Sequence, residues 1–337
     1  RVSRYSHRSG VQRLPIEAIA QANANQRAGR CGRVGPGTCV RLYSEEDFKQ
    51  RPQFTDSEIQ RTNLASVMLQ LARMRFGDIS VFPFLEAPDT RLVKDGIRLL
   101  QELGALDQRG SLTQLGQRLA RIPVDPRFAR MLLAADQHAC LDEVLIIVSG
   151  LSIQDPRERP VDKQQAADQA HGRFRVPDSD FMALVELWRY FEQQRQQLSR
   201  NQLRKLCQRE FLSSLRLFEW RDLHHQLRLV CRQLGLRHNQ ESSPPVQVHR
   251  ALLTGLVSHI GQRDEGREYR GVRNRRFLVF PGSSLAKKPP PWLVAAELVD
   301  TGKLYARMNG RIEPEWVIEA APHLLRRTYS EPRYSPR

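Results

Sequence analysis

Between positions 26 and 33 the chain reads Gln-Arg-Ala-Gly-Arg-Cys-Gly-Arg. On a helix Gln26, Arg30 and Arg33 stand at i, i+4 and i+7, so one amide and two guanidiniums share a face. Such a set suits phosphoryl transfer, in which negative charge grows on oxygens that fixed cationic donors can meet. Gly29 and Gly32 each lower helix propensity by about 1 kcal/mol, which makes sense if another surface must approach the backbone closely. The same face would also serve a basic helix turned to solvent or to nucleic acid, without catalysis.

A second concentration lies between Gln262 and Lys288, where Arg263, Arg267, Arg270, Arg273, Arg275, Arg276, Lys287 and Lys288 face three acids. Tyr269 and Phe277 are interleaved with them. A basic groove with stacking rings is how OB-folds hold single strands; the bland alternative makes Phe277 barrel core and leaves half the arginines as solubilising charge. His224-His225 does not read as a metal pair, because adjacent helical residues point apart and no suitably spaced cysteine joins them. No metal is expected. Trp188, Tyr190 and Phe191 read as bundle core.

The elements that must position these residues follow from pattern. Val2 to His7 and Val11 to Ile16, around Arg8-Ser9-Gly10, predict a hairpin. Ala22 to Arg33 predicts a helix, and Thr38 to Tyr43 a strand with Val40 and Leu42 on one face. Thr55-Asp56-Ser57-Glu58 has the form of a capping box, followed by Leu64, Val67, Met68 and Leu71 at helical spacing. A helix from Thr90 to Leu103 and a β-wing over 105–114 complete a winged-helix pattern. Residues 115–240 are helical, with Asp125-Pro126 as a start signal, Leu141–Leu151 as a buried helix, and Ser152–Arg175 as a long loop with some helix. Gly235–Pro245 reads as a linker. Residues 246–320 then turn β-like, with Arg276–Phe280 and Trp292–Ala296 as strands of a small barrel. The fold class is multidomain and mainly α with a β-barrel.

Hydrophobic residues at 40% and charged residues at 27% describe a globular chain rather than a disordered one. No apolar run approaches the roughly 18 residues of a membrane span. The five cysteines form no CxxC pair, which favours a reducing, cytoplasmic setting. Residue 1 is arginine, so the start reads as a cut within a longer protein. The net charge of +16 favours a polyanionic partner, although the arginine usage of a GC-rich genome would give the same excess.

The 26–33 stretch is similar, residue for residue, to motif VI (QRxGRxGR) of superfamily-2 helicases. Around it, Gln12-Arg13-Leu14-Pro15, Arg41-Leu42-Tyr43 with Phe48, Glu58-Ile59 with Arg61-Thr62-Asn63-Leu64, Leu112-Thr113-Leu115-Gly116 and Pro123-Val124-Asp125-Pro126 resemble the DEAH/RHA pattern. Ser152 to Pro160, Pro281-Gly282-Ser283-Ser284 and Tyr329-Ser330 with Pro332 resemble its bacterial HrpA type. The resemblance covers essentially the whole chain and implies a C-terminal fragment of a DEAH-box, ATP-dependent RNA helicase, starting between motifs V and VI. By position it implies the end of the second RecA-like α/β lobe at 1–55, a winged helix at 56–114, a helical bundle or ratchet at 115–243, an OB-fold at 244–330 and a tail at 331–337.

Carried over from motif VI, Gln26 would position the attacking water or γ-phosphate and Arg30 and Arg33 would be arginine fingers. Arg27, Gly29 and Gly32 would serve the motif's structure, Arg27 through an intradomain salt bridge. The hairpin would wedge against stacked RNA bases. RNA-contact candidates are Arg4, Arg8, Arg13, Arg173, Arg270, Arg273, Arg275, Lys287, Lys288 and Arg307, with the Asp178–Phe181 helix start on the ratchet's rim. The implied partners are single-stranded RNA, DNA as a second strand type, a ribosome or other ribonucleoprotein, and a protein partner at the OB-fold; the chain would be a monomer away from membranes. ATP and Mg²⁺ would act in the intact protein. The chain has no GxxxxGK[ST] loop and no Asp-Glu-x-His, so by itself it is expected to be inactive. The rival reading is a nucleotide-independent RNA-binding or partner-recruiting module.

Overall fold

The structure, a computed structural model, describes residues 4–6, 11–13, 17–77, 79, 82–264 and 266–325. β1 (Arg4–Ser6) and β2 (Val11–Arg13) pair antiparallel, with Arg4 opposite Arg13, and β2 runs against a later barrel strand. α1 (Gln21–Arg30) and α2 (Glu45–Gln50) follow. Among the described residues of 17–55 these helices stand without a parallel sheet.

Three expectations in this part are corrected. The α1 helix stops at Arg30, short of Arg33, as the chain turns through the glycine-containing 31–35 stretch. Thr38–Tyr43 forms no strand; Val40 and Leu42 are 76% and 94% exposed, because alternation alone supplies no partner for a strand's backbone groups. The Thr55–Glu58 pattern caps no α-helix. Ser57 donates its hydroxyl to Glu86 Oε2 at 2.6 Å instead, and Glu58–Gln60 makes a single 3₁₀ turn.

α3 (Ala65–Arg73) begins where the Asn63 side chain accepts from Ala65 N–H at 2.9 Å. Leu64, Met68 and Leu71 are buried while Val67 faces out. α3 packs on α4 (Thr90–Glu102). The wing is reduced to one antiparallel bridge, Leu106 to Leu112, before α5 (Gln114–Leu119).

α6 (Pro126–Gln137) starts as expected, with Asp125 Oδ1 accepting from Arg127 N–H at 2.8 Å and proline at the first turn. α7 (Leu141–Leu151) is buried around nearly its whole circumference, which is why its sequence is apolar all round. α8 (Gln164–Gly172), α9 (Asp180–Gln197), α10 (Arg200–Arg209) and α11 (Ser214–Gln233) complete the bundle. Trp188 and Phe191 lie in its core with Trp220; Tyr190 sits at the edge, its hydroxyl donating to Glu210.

The segment expected as a linker is fastened down. Buried Glu143 of α7 accepts from Ser243 N–H at 3.1 Å, from the Ser242 hydroxyl at 3.3 Å and from the Asn239 amide at 3.1 Å. α12 (Pro245–Leu253) then forms a helix where β patterning was expected. Its Val248, Leu252 and Leu253 are fully buried, and α6 receives them.

The barrel comprises β3 (Ile260–Arg263), β4 (Glu268–Gly271), β5 (Arg276–Val279), β6 (Trp292–Asp300) and β7 (Leu304–Arg311). It closes in the order β3-β4-β5-β7-β6, antiparallel except for the parallel β5–β7 pair. α13 (Pro314–Ala320) follows. Gly261 and Gly271 face each other across β3 and β4, and the Phe277 ring occupies the space they leave; a Cβ on Gly261 would stand 2.3 Å from it. Alternation along β6 serves two cores. Leu293 and Ala295 fill the barrel, while Val294 joins the continuous helical core that runs back to α3.

Candidate nucleotide and nucleic-acid interface

The first half of α1 is tied down and the second half is free. Its orphan N-terminal donors, Gln21 N–H and Ala22 N–H, reach the carbonyls of Pro52 and Gln53 at 2.9 and 3.0 Å. The Gln21 amide donates to Arg51 O at 2.7 Å, and the Asn23 amide to the Thr55 hydroxyl at 2.8 Å. Arg41 donates to Asn25 Oδ1 at 2.7 Å while its guanidinium lies 4.1 Å from the Phe48 ring centroid. Arg51 lies over Tyr43 and pairs with Asp47 at 2.6 Å. The backbone carbonyls of 49–53, with the Arg41 and Thr55 side chains, therefore form a bracket around residues 21–25 and leave the exposed side chains of the second half unengaged among the described residues.

Gln26, Arg27, Arg30 and Arg33 are exposed. Among the described residues none of their side chains has a hydrogen bond or ion pair, so the salt bridge expected of Arg27 does not form here. Gln26 and Arg30 share the helical face as anticipated. Arg33 does not, since it lies beyond the helix end. A Cβ at Gly29 or Gly32 would meet nothing within 4 Å, so no surface of this chain presses on them. Arg27 and Arg30 occupy the last turn, where cations oppose the carbonyl end of the helix dipole.

The nucleic-acid candidates separate into groups. Arg4 and Arg13 face each other in the hairpin register; their side chains, and Arg8 altogether, lie outside the described residues. Arg270, Lys287 and Lys288 are exposed without ion-pair partners among the described residues. Arg273 and Arg275 have partners within the fold: Arg273 stands 3.9 Å from buried Asp95 of α4, and Arg275 donates to Ser258 O, in the turn before β3, at 3.3 Å. Arg307 lies 4.4 Å over the Phe280 ring, in register opposite Glu297. Burial pushes the Glu297 carboxyl up, against the pull of Arg307.

Arg173 is committed within the bundle. It pairs with Glu210 and covers the Phe174 and Tyr190 rings at 4.6 and 4.2 Å. Tyr269 and Phe277 stack on each other inside the barrel, centroids 5.8 Å apart and nearly fully buried, so the core reading of these rings holds and they are not available to bases. His224 packs on Trp188 at 4.5 Å, and burial pushes its pKa down to about 4. Among the described residues no three metal-ligating side chains converge.

Sequence reading missed the junction between the bundle and the barrel. Asp180, at the start of α9, accepts from Ser284 N–H at 2.8 Å, the Ser284 hydroxyl at 2.8 Å, the Ser283 hydroxyl at 2.5 Å and Asn309 N–H at 2.9 Å. Beside it Arg157 forms a bidentate pair with Asp155 and touches the Met308 sulfur at 3.8 Å. Ser179 bonds buried His249 at 2.7 Å. The Ser-Asp helix start was a usable signal for an N-cap, but nothing local names Ser283, Ser284 or Asn309, far along the chain, as its partners.

Three family profiles match the chain: a helicase-associated (HA2) winged-helix domain over residues 96–124, a ratchet-like HA2 domain over 125–213, and an oligonucleotide/oligosaccharide-binding (OB) fold over 248–324. The chain is 57% identical over 340 residues to the ATP-dependent RNA helicase HrpA of Escherichia coli K12, and 54% identical over 343 residues to its Haemophilus influenzae homologue. Each match covers 99% of this chain and 26% of the relative, so the chain spans about a quarter of their length. It is also 33% identical over 322 residues to the human probable ATP-dependent RNA helicase DHX35, covering 95% of this chain and 45% of that protein. With winged-helix, ratchet-like and OB-fold parts in this order, the chain corresponds to the C-terminal region of the HrpA-like DEAH-box helicases.

Proposed function

We propose that the chain works as part of an ATP-dependent RNA helicase that translocates on single-stranded RNA and unwinds or remodels RNA and ribonucleoprotein. The observation that carries this is α1: a bracket of hydrogen bonds and cation–π contacts holds its first half, while Gln26, Arg30 and Arg33 project without partners among the described residues. Unpaired guanidiniums on a rigid mount fit the phosphate chain of ATP, which a neighbouring lobe with a phosphate loop would hold. Gln26 orients the attacking water or γ-phosphate. Arg30 from the helix and Arg33 from the turn beyond it meet the growing negative charge. Mg²⁺ neutralises phosphate charge when bound, and its ligands belong to that other lobe.

In this reading residues 1–55 close the second RecA-like lobe, 56–114 form the winged helix, 115–243 the ratchet and 244–330 the OB-fold. Lobe closure moves the hairpin, whose β2 runs against β6, relative to the strand, and exposed Arg270, Lys287 and Lys288 hold its phosphates. Among the described residues no helix is long and apolar enough to cross a membrane, and a cytoplasmic setting follows from the RNA substrate. The 337-residue chain alone hydrolyses no ATP.

The test is Arg30→Ala in the full-length protein. RNA-stimulated phosphate release should fall at least 10²-fold, on the scale of losing an oxyanion or arginine-finger donor, while RNA affinity stays within a factor of two. Unchanged turnover would leave only the nucleotide-independent binding module.

A further inference from the structure

Where the winged-helix part meets the barrel there is a polar cavity of about 50 Å³. α4 contributes Asp95, Arg98 and Glu102 to its wall, and α6 contributes Arg127. The rest comes from Ser258 and from Arg273 and Arg275, which flank the turn after β4. A space that size exceeds several-fold the room one water needs.

The electrostatics of the wall are unbalanced. Among the described residues four guanidiniums face two carboxylates, and both carboxylates are already engaged: Glu102 accepts from Ser258 N–H at 3.1 Å, and Asp95 lies 3.9 Å from Arg273. Among the described residues the Arg98 and Arg127 side chains have no hydrogen-bonding or ion-pair partner, and the Arg127 Nε–H is buried without an acceptor. Buried donors on a charged group are strongly destabilising unless something accepts from them. The neighbouring imidazole of His259 offers no negative charge. Burial, together with Arg127 and Arg275, pushes its pKa down to about 3, so it is neutral. Arg273 and Asn274 both take left-handed backbone conformations, at φ 62° and 56°. Consecutive non-glycine residues in that region are strained and recur at ligand clamps.

We propose that this cavity is an oxyanion site that takes a single phosphate group between Arg98, Arg127 and the Arg273–Arg275 turn, bridging the winged helix to the barrel. A doubly charged tetrahedral oxyanion suits this arginine-rich wall, and its oxygens supply the acceptors that Arg98 and Arg127 lack among the described residues. The phosphate is either inorganic phosphate or a phosphate of bound RNA; the chemistry is the same and the experiment separates the sources. Neither α1 nor ATP enters the argument, so this site and the nucleotide reading stand or fall separately.

The 337-residue chain is melted in sodium phosphate and in sodium chloride at matched ionic strength, and its affinity for a short single-stranded RNA is measured in both. Phosphate at a hundred times its Kd should raise Tm by roughly 5 °C over chloride. Arg98→Ala/Arg127→Gln should erase that shift while melting no earlier than the parent in chloride, because neither guanidinium has a hydrogen-bond or ion-pair partner among the described residues. If the double variant melts early in chloride, Arg98→Ala alone, at an exposed side chain, reads the same loss. If the phosphate belongs to RNA, the substitutions also weaken RNA binding at least threefold and inorganic phosphate competes with RNA; if it is the free ion, RNA affinity is unchanged. The proposal is overturned if the variants keep the full phosphate shift. It is equally overturned if the parent shows no phosphate-specific shift and the substitutions leave RNA affinity intact.

Discussion

The Asp180 carboxylate, at the head of a bundle helix, accepts the backbone N–H of Asn309 in barrel strand β7 at 2.9 Å. Its other acceptor sites are filled by Ser283 and Ser284 from the loop after β5. One side chain thus adds to the other bonds of this junction, Arg311 N–H to Asp178 O at 2.9 Å and His249 to Arg311 O, and its geometry is held by two backbone donors that cannot rotate away.

Asp180→Ala should therefore lower global stability by about 2–4 kcal/mol, the range for breaking a partly buried charged network. Urea unfolding followed separately by tryptophan fluorescence and far-UV circular dichroism should lose its coincidence, as the barrel melts ahead of the bundle. Coincident curves with an unchanged midpoint would show that the Asp180 carboxylate does not hold the junction and that its other hydrogen bonds and packing suffice.

Gly150 lies in the last turn of α7 against Trp220, and a Cβ there would approach the indole to 2.8 Å. The indole is fixed, since its Nε1–H donates to Ile146 O at 3.0 Å and to the Ser149 hydroxyl at 2.9 Å. Gly150→Ala gains helix propensity yet should destabilise by about 1–3 kcal/mol, the overpacking penalty. A denaturation midpoint equal to or above the parent's would mean that α11 can shift outward at no cost.

His249 is neutral in the fold. Its Nδ1–H donates to Arg311 O at 2.9 Å, leaving Nε2 to accept from the Ser179 hydroxyl at 2.7 Å. Burial pushes its pKa from 6.5 to about 4. Unfolding restores the higher value, so the unfolded state binds the extra proton. The stability is fully present above pH 6.5 and is lost as pH falls toward 4, by up to about 3 kcal/mol. Urea midpoints at pH 7 and pH 5 should differ for the parent and differ less for His249→Gln. Equal pH slopes in the two proteins would contradict this.

Lys287 and Lys288 are exposed in the loop before β6 and have no ion-pair partner among the described residues. If they hold phosphates, Lys287→Ala/Lys288→Ala should weaken RNA binding uniformly across sequences. The slope of log K against log salt should also fall by about 0.7 for each phosphate of a single strand that is no longer neutralised. Retained affinity with an unchanged slope would move the RNA path off this loop.

The sequence alone determined whatever depends on neighbours a few positions away. The apolar run of α7, the Asp125-Pro126 start of α6, the amphipathic face of Leu64, Met68 and Leu71, and the β-rich runs of β5 and β6 were all legible, because helical and strand periodicity and capping are local. The motif at 26–33 was legible as a concentration of guanidiniums. Tertiary structure decided the rest. It captured Ser57 with Glu86 and left a capping pattern unused, and it fastened a linker-like segment to Glu143. It folded Tyr269 and Phe277 over paired glycines into the barrel, and gave Arg273 a partner in Asp95 of α4 and Arg275 one in the Ser258 carbonyl. Each of these arrangements joins residues that lie far apart along the chain or on different strands. Their energies come from desolvation and pairing across the folded interior, which no local pattern encodes.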